Sequence, residues 1–238
     1  MQQHRYANCD DGKGTFHLGG FNLKKRLACL HAHYSNIDYI EQAFRNFEEV
    51  ELVHFVDPGL MQRVSQGAEG LSPKVKEQLQ WIAGCNVDGI LITCTNYIAL
   101  MKDEQLSLSV PIIKIDEPYF ETICNNDQHQ TILFTNPATV EGTMARLQQF
   151  AKQQEKSIKV EAKVIDHTFE LIMQGQKEAY NKAILRFLHE TLRQPQLISV
   201  AQLSMVAAAQ QFEKEMAIAI THPLQALVST VLDQLKIG

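Results

Sequence analysis

The segment Asp88-Gly-Ile-Leu-Ile-Thr-Cys94-Thr-Asn96 concentrates the chemistry of this sequence. A β-branched apolar run ends at a cysteine, and small hydroxyl and amide side chains follow at once. Such a run reads as a buried parallel strand, and ligands gather at the carboxyl ends of such strands. A helix starting at Thr95 or Asn96 would turn its free N–H groups and positive dipole end toward the sulfur, favouring the thiolate. A thiolate can move a proton on carbon when donors are aimed at the oxygen where charge develops. The alternative is packing, because a free cysteine commonly behaves as a small buried hydrophobe.

Other reactive side chains read less sharply. His33 and His167 fall at strand ends, and an imidazole titrating near pH ~6.5 suits proton transfer. For each, the commoner reading is a surface or loop histidine with a local hydrogen bond. Asp57-Pro-Gly is a turn whose aspartate bonds its own backbone. Asp116 and Glu117 close a strand and cap a helix beginning near Pro118. Cys29, inside a strand, reads as core packing; Cys85 and Cys124 lie at or near helices. In the tail, Cys9 stands near Asp10-Asp11, His4 and His17, whose spacing is too irregular for a metal set. Gly12-Lys-Gly lacks the strand that a phosphate loop needs.

The elements that must hold these residues follow from periodicity. Strand-like runs are Leu27–His31, Glu51–Val56, Gly89–Thr93, Ile112–Ile115, Thr131–Thr135, Lys159–Ile165, Leu197–Ala201 and Ala217–Ile220. Helical faces lie between them: Val75, Leu79 and Ile82 after Pro73, then Tyr180, Ala183, Ile184, Phe187, Leu188 and Leu192. After Pro223, at a first helical turn, comes the stripe Leu224, Leu227, Val228, Val231, Leu232 and Leu235. Strands alternating with helices mean βαβ units and a mainly parallel sheet. The βα corners at Gly89–Leu100 and Leu197–Ala208 echo one another, which suggests two similar lobes facing across a cleft. The expected division is a polar extension 1–25, a first lobe 26–117 plus 208–238, and a second lobe 118–207.

The bulk numbers exclude several classes. The chain has 238 residues, 45% hydrophobic and 21% charged, with a net charge of -5 and a pI near 6.0. These are values of a soluble globular protein, and without a basic stretch neither nucleic acid nor an anionic membrane is an expected partner. No apolar segment approaches the roughly 20 residues of a bilayer span, and the polar N-terminus has no secretory apolar region. Five cysteines without a CxxC pair suggest neither a disulfide framework nor a zinc ribbon, and so a reducing cytoplasmic setting.

Taken in order, His54-Phe-Val-Asp-Pro-Gly-Leu60, Ile92-Thr-Cys-Thr-Asn96, Pro111-Ile-Ile-Lys-Ile-Asp-Glu117, Ile132-Leu-Phe-Thr-Asn-Pro-Ala-Thr139 and Ile198-Ser-Val-Ala-Gln-Leu-Ser-Met205 carry a resemblance. From about Arg26 to Leu235 the chain resembles the aspartate/glutamate/hydantoin racemase superfamily, the cofactor-independent group that includes arylmalonate decarboxylase and maleate isomerase. The resemblance implies an α/β fold of two pseudo-symmetric lobes, each a mainly parallel four-stranded sheet flanked by helices, with the active site between them. It implies a cysteine from each lobe on either side of a substrate α-carbon, no cofactor and no metal, a small carboxylic-acid or amino-acid substrate, and a homodimer. By position Cys94 matches the first-lobe cysteine, with Thr95 and Asn96 in its carboxylate-binding turn. Thr135, Asn136 and Thr139 match the second-lobe loop, and Tyr34 and Ser35 stand in the N-terminal loop beside the substrate.

The second-lobe cysteine is missing. Gln202 takes its place in one register and Ser204 in a register shifted by two. Gln202 cannot carry a proton in this role, and Ser204 needs a partner base. His33 or His167 could replace the thiol, Cys94 could work alone, or the pocket could bind a carboxylate without turnover. The expected function is therefore a racemase or isomerase acting next to a carboxylate, with a decarboxylase of the arylmalonate type or a small-acid binding protein as the alternatives.

Overall fold

The computed structural model describes residues 24–67, 69–101, 107–191 and 197–237. The expectations for His4, Cys9, Asp10, Asp11, Gly12, His17 and Leu192 lie outside the described residues. The first half of the chain forms β1 (Lys25–His31), α1 (Asn36–Phe44), β2 (Val50–Val56), α2 (Pro58–Ser65), α3 (Ser72–Ala83), β3 (Gly89–Ile92), α4 (Thr95–Leu100), β4 (Ile112–Lys114) and α5 (Asp116–Cys124). The second forms β5 (His129–Phe134), α6 (Val140–Gln153), β6 (Lys159–Val164), α7 (Phe169–Met173), α8 (Lys177–Thr191), β7 (Leu197–Val200), α9 (Val206–Met216) and α10 (Leu227–Leu235). Short 3-10 turns cover Pro137–Thr139 and Leu203–Met205.

The strands assemble into two sheets, ordered β2-β1-β3-β4 and β6-β5-β7. Every pairing is parallel, as βα alternation demands. β1 and β5 are central strands, which explains why their apolar runs are continuous and buried. The helical stripes face the sheets as their period requires: Val75, Leu79 and Ile82 on α3 are buried, as are Tyr180, Ile184 and Leu188 on α8.

Three details differ from the sequence-based expectation. The second sheet has three strands, not four. Ala217 adopts a left-handed conformation (φ 53°) to end α9, and only Thr221 then runs beside β7, as an isolated bridge to Ser199. Pro223 opens no helix, because Gln225 N–H closes a turn on His222 O and α10 begins at Leu227. Asp116 and Glu117 lie within the first turn of α5, since β4 stops at Lys114. In the C-terminal segment, α10 packs its Leu227, Val231 and Leu235 into the core of the first sheet. By contrast α9 packs Ala208, Ala209 and Phe212 into that of the second.

Asp57 keeps the turn role its Asp-Pro-Gly context suggests. It caps α2 by accepting from Gly59 N–H (2.9 Å) and Leu60 N–H (3.2 Å), with Pro58 at the first helical position. Its other oxygen accepts from the buried Tyr97 hydroxyl of α4 at 2.9 Å, so one carboxylate ties the β2 end to the Cys94 corner. Asp57→Ala should cost about 1–2 kcal/mol, read as a lower urea midpoint at unchanged m-value.

Candidate functional site

Hydrogen-bond register fixes which residues of the two sheets are equivalent. In the first, Leu30 pairs with Ile92 and the next N–H, of Thr93, returns to Leu30 O. In the second, Leu133 pairs with Val200 and Ala201 N–H returns to Leu133 O. Two residues beyond each strand, Cys94 and Gln202 therefore occupy the same place. Both are extended helix-capping residues, Cys94 at φ -117°, ψ 119° and Gln202 at φ -120°, ψ 142°. The geometry selects the Gln202 register, and Ser204 is the counterpart of Asn96.

The Gln202 corner is internally saturated. Its side-chain carbonyl Oε1 accepts from Thr135 N–H (2.7 Å), Thr135 Oγ1–H (2.8 Å) and Asn136 N–H (3.2 Å). Three converging donors identify this atom as oxygen and direct the amide NH₂ away from the loop. Thr135 Oγ1 also meets the Tyr180 hydroxyl at 2.9 Å, and that hydroxyl meets Ser204 Oγ at 2.7 Å. Since Thr135 spends its proton on Gln202, Tyr180 donates to Thr135 and Ser204 donates to Tyr180. Ser204 thus ends a ladder of hydroxyls, bonded to a phenol where a nucleophile would need an imidazole. Asn136 turns its own carbonyl to Ala138 N–H at 3.0 Å, and Thr139 Oγ1 donates to Asn136 O at 2.9 Å. These loop residues come together as expected, but around Gln202.

The Cys94 corner is built differently. The thiol is half-buried, and the N–H groups of Tyr97 and Asn96 bond its sulfur. Burial raises the Cys94 pKa above the ordinary thiol value, against the lowering pull of those two N–H groups. The expectation of a dipole-stabilised thiolate is corrected here: α4 has only six residues, and desolvation of the charged form outweighs a one-turn helix end. Thr95 and Asn96, at the first two helical positions, are half-buried beside it.

The histidine candidates stay local. His33 is exposed; its Nδ1 accepts from Ser35 N–H (3.2 Å) and meets Ser35 Oγ at 2.8 Å, while its ring lies 4.4 Å from that of exposed Tyr34. His167 is exposed in a left-handed turn (φ 59°) after β6, the edge strand.

Sequence reasoning misses a hydrogen-bonded chain in the first lobe that runs from the buried His31 out to the exposed Glu41. His31 Nδ1 meets Thr93 Oγ1 at 2.8 Å, His31 Nε2 meets His54 Nδ1 at 2.8 Å, and His54 Nε2 meets Glu41 Oε1 of α1 at 3.0 Å. Burial, with His54 adding to it, lowers the His31 pKa to about 4, so this ring is neutral at physiological pH. Cys29 lies beside the pair, fully buried, with its thiol pushed up by burial and by Glu41. The one signal in the sequence is Cys29 and His31 at i and i+2, on one face of a strand.

Two concavities, one lined by Glu121, Cys124, Phe150 and Lys156 and one by Arg45, Gln210, Glu213 and Lys214, share no residue with either corner. Among the described residues no helix is long and apolar enough to cross a membrane.

No family model matches the sequence, and no curated protein matches it. Solved structures do match in fold. The aspartate racemase of Picrophilus torridus superposes with a TM-score of 0.69 at 12% identity, covering 89% of this chain and 94% of its own. The allantoin racemase of Klebsiella pneumoniae gives 0.63 at 20% identity, covering 90% and 89%. A mutant of arylmalonate decarboxylase in a sulfate-associated form gives 0.59 at 10% identity, covering 90% and 94%. The chain therefore has the two-sheet α/β fold of these racemases and of arylmalonate decarboxylase.

A thiol with a raised pKa is deficient in thiolate at neutral pH and gains it only as pH climbs past the ordinary thiol range. Alkylation of Cys94 by iodoacetamide, followed by peptide mass mapping, should be slower than that of free cysteine at pH 7. Its midpoint should lie on the alkaline side of the free thiol's.

Proposed function

We propose that this chain is a cofactor-independent, racemase-like isomerase acting at the carbon next to a carboxylate, with Cys94 as its single acid/base. The observation supporting this is the unequal pair of corners: a thiol bonded by two backbone N–H groups in one lobe, a carboxamide at the equivalent place in the other. The Cys94 thiolate takes the proton from the carbon next to the carboxylate, charge moves onto the substrate carboxylate, and donors around Thr95 and Asn96 receive it; the thiol then delivers the proton on the same face to another carbon of the delocalised anion. One acid/base serves one face of the substrate. That suits a proton shift along one face better than exchange between two faces. The substrate is a small carboxylic or amino acid, and a homodimeric cytoplasmic enzyme belongs to the same reading.

Gln202 favours a second reading, a decarboxylase of the arylmalonate type. Loss of CO₂ leaves a carbanion that needs one proton donor, which Cys94 supplies, and no opposing base.

Incubation in D₂O with a panel of aspartate, glutamate, allantoin and an arylmalonate, read by NMR, separates these readings. The isomerase deuterates recovered substrate or its isomer, and the decarboxylase labels only its product. A protein that binds a panel acid and does neither is a binding protein, and the enzymatic readings fail. Cys94→Ala should slow the label by at least ~10²-fold. Gln202→Cys should introduce two-face exchange by restoring an opposing thiol. Gln202→Ala, which only vacates the donors of Thr135 and Asn136, should lower KM without it. A folded Gln202→Cys protein with one-face exchange would count against the pairing of the two corners.

A further inference from the structure

The structure assigns Cys29, His31 and His54 as a transition-metal site inside the first lobe, of the class that takes a borderline-soft divalent ion such as Zn²⁺. This site stands apart from the proposed proton chemistry and uses none of its residues. One ligand atom from each of the three side chains lies within 4.8 Å of the other two. Cys29 and His31 project from the same face of β1, and parallel register sets His54 of β2 directly beside Cys29.

The outer contacts are those a metal site requires. A ligating histidine holds its metal-facing nitrogen in place by donating its other N–H to a carboxylate, carbonyl or hydroxyl. His54 Nε2 faces Glu41 Oε1 at 3.0 Å, and His31 Nδ1 faces Thr93 Oγ1 at 2.8 Å. Thr93 Oγ1 is oriented in turn, donating to Leu30 O at 3.2 Å. The remaining nitrogens, His31 Nε2 and His54 Nδ1, face each other at 2.8 Å beside the thiol. Tetrahedral Zn²⁺ with bonds near ~2.0 Å would hold them about 3.3 Å apart, so they need to part by roughly half an ångström. The Cys29 thiol releases its proton to solvent as the metal–sulfur bond forms. Three protein ligands leave a fourth position for water, and His54 marks the partly exposed edge of the trio.

The second lobe supplies an internal control. By strand register, Ile132 stands at the place of Cys29, Phe134 at His31, Ala162 at His54 and Ala201 at Thr93. The same architecture is thus built there without a polar side chain at any of the four places. Burying a thiol and an imidazole, with a second imidazole half-buried beside them, costs free energy that apolar side chains avoid, so packing gives no reason for this set. A ligand does.

Co²⁺ serves as the spectroscopic probe, titrated into reduced, chelator-treated full-length protein. We expect a thiolate-to-cobalt charge-transfer band saturating at one equivalent and removed by Zn²⁺. The band should vanish in Cys29→Ser and persist in Cys94→Ala. His54→Gln should weaken Co²⁺ binding by at least ~10-fold, and Glu41→Gln by ~10–100-fold through loss of the orienting carboxylate. No band in the wild type, or a band that survives Cys29→Ser, overturns the assignment. Should Cys29→Ser fail to fold by circular dichroism, the test rests on His54→Gln and Glu41→Gln, and unchanged affinity in both overturns the assignment.

Discussion

Three donors, the N–H groups of Thr135 and Asn136 and the hydroxyl of Thr135, converge on one acceptor, and that acceptor is Gln202 of the chain itself. Backbone N–H groups that end a strand and open a turn must be satisfied, and an anionic ligand is one way to do it. A side-chain carbonyl is the other. Behind it Ser204 donates to Tyr180 and Tyr180 to Thr135, leaving the Thr135 proton for that oxygen. A cysteine at this place would accept these bonds poorly. Gln202 thus fills a donor set of a kind that would otherwise suit an anionic group.

The consequence is a division of labour between lobes that share a backbone plan. The first lobe carries the titratable groups, Cys94 at its corner and the Cys29, His31 and His54 trio behind it. The second lobe carries hydroxyl and amide groups that orient and do not titrate near neutrality. Pseudo-symmetry survives in register and corner geometry, where the sheet demands it, and lapses in side-chain chemistry, where it does not.

Much of this is legible in the sequence because periodicity reports burial. The α3 and α8 faces follow from the 3.6-residue repeat, and the seven strands from short apolar runs between them. Ala217–Ile220 misleads because a short apolar run after a helix reads the same whether it joins a sheet or caps the helix and passes by. Whether Gln202 or Ser204 mirrors Cys94 rests on which N–H returns to Leu133 O, a relation between distant segments. The Cys29, His31 and His54 grouping is hidden for the same reason. Alternation puts the first two on one face, but only the β1–β2 register places His54 against them.

Cys94 carries the strongest constraint on mechanism. Two N–H groups of the turn donate to the sulfur, yet desolvation outweighs them and raises the thiol above its ordinary pKa. An anionic substrate brought beside the sulfur adds like charge and raises the cost of the thiolate further. A reaction that begins with proton abstraction must therefore recover that cost from donors that engage the substrate first. A reaction that begins elsewhere, by losing CO₂, meets a thiol already holding the proton it needs. The isomerase reading therefore depends on donors around Thr95 and Asn96 engaging the substrate before the proton moves, whereas the decarboxylase reading needs no thiolate at its first step.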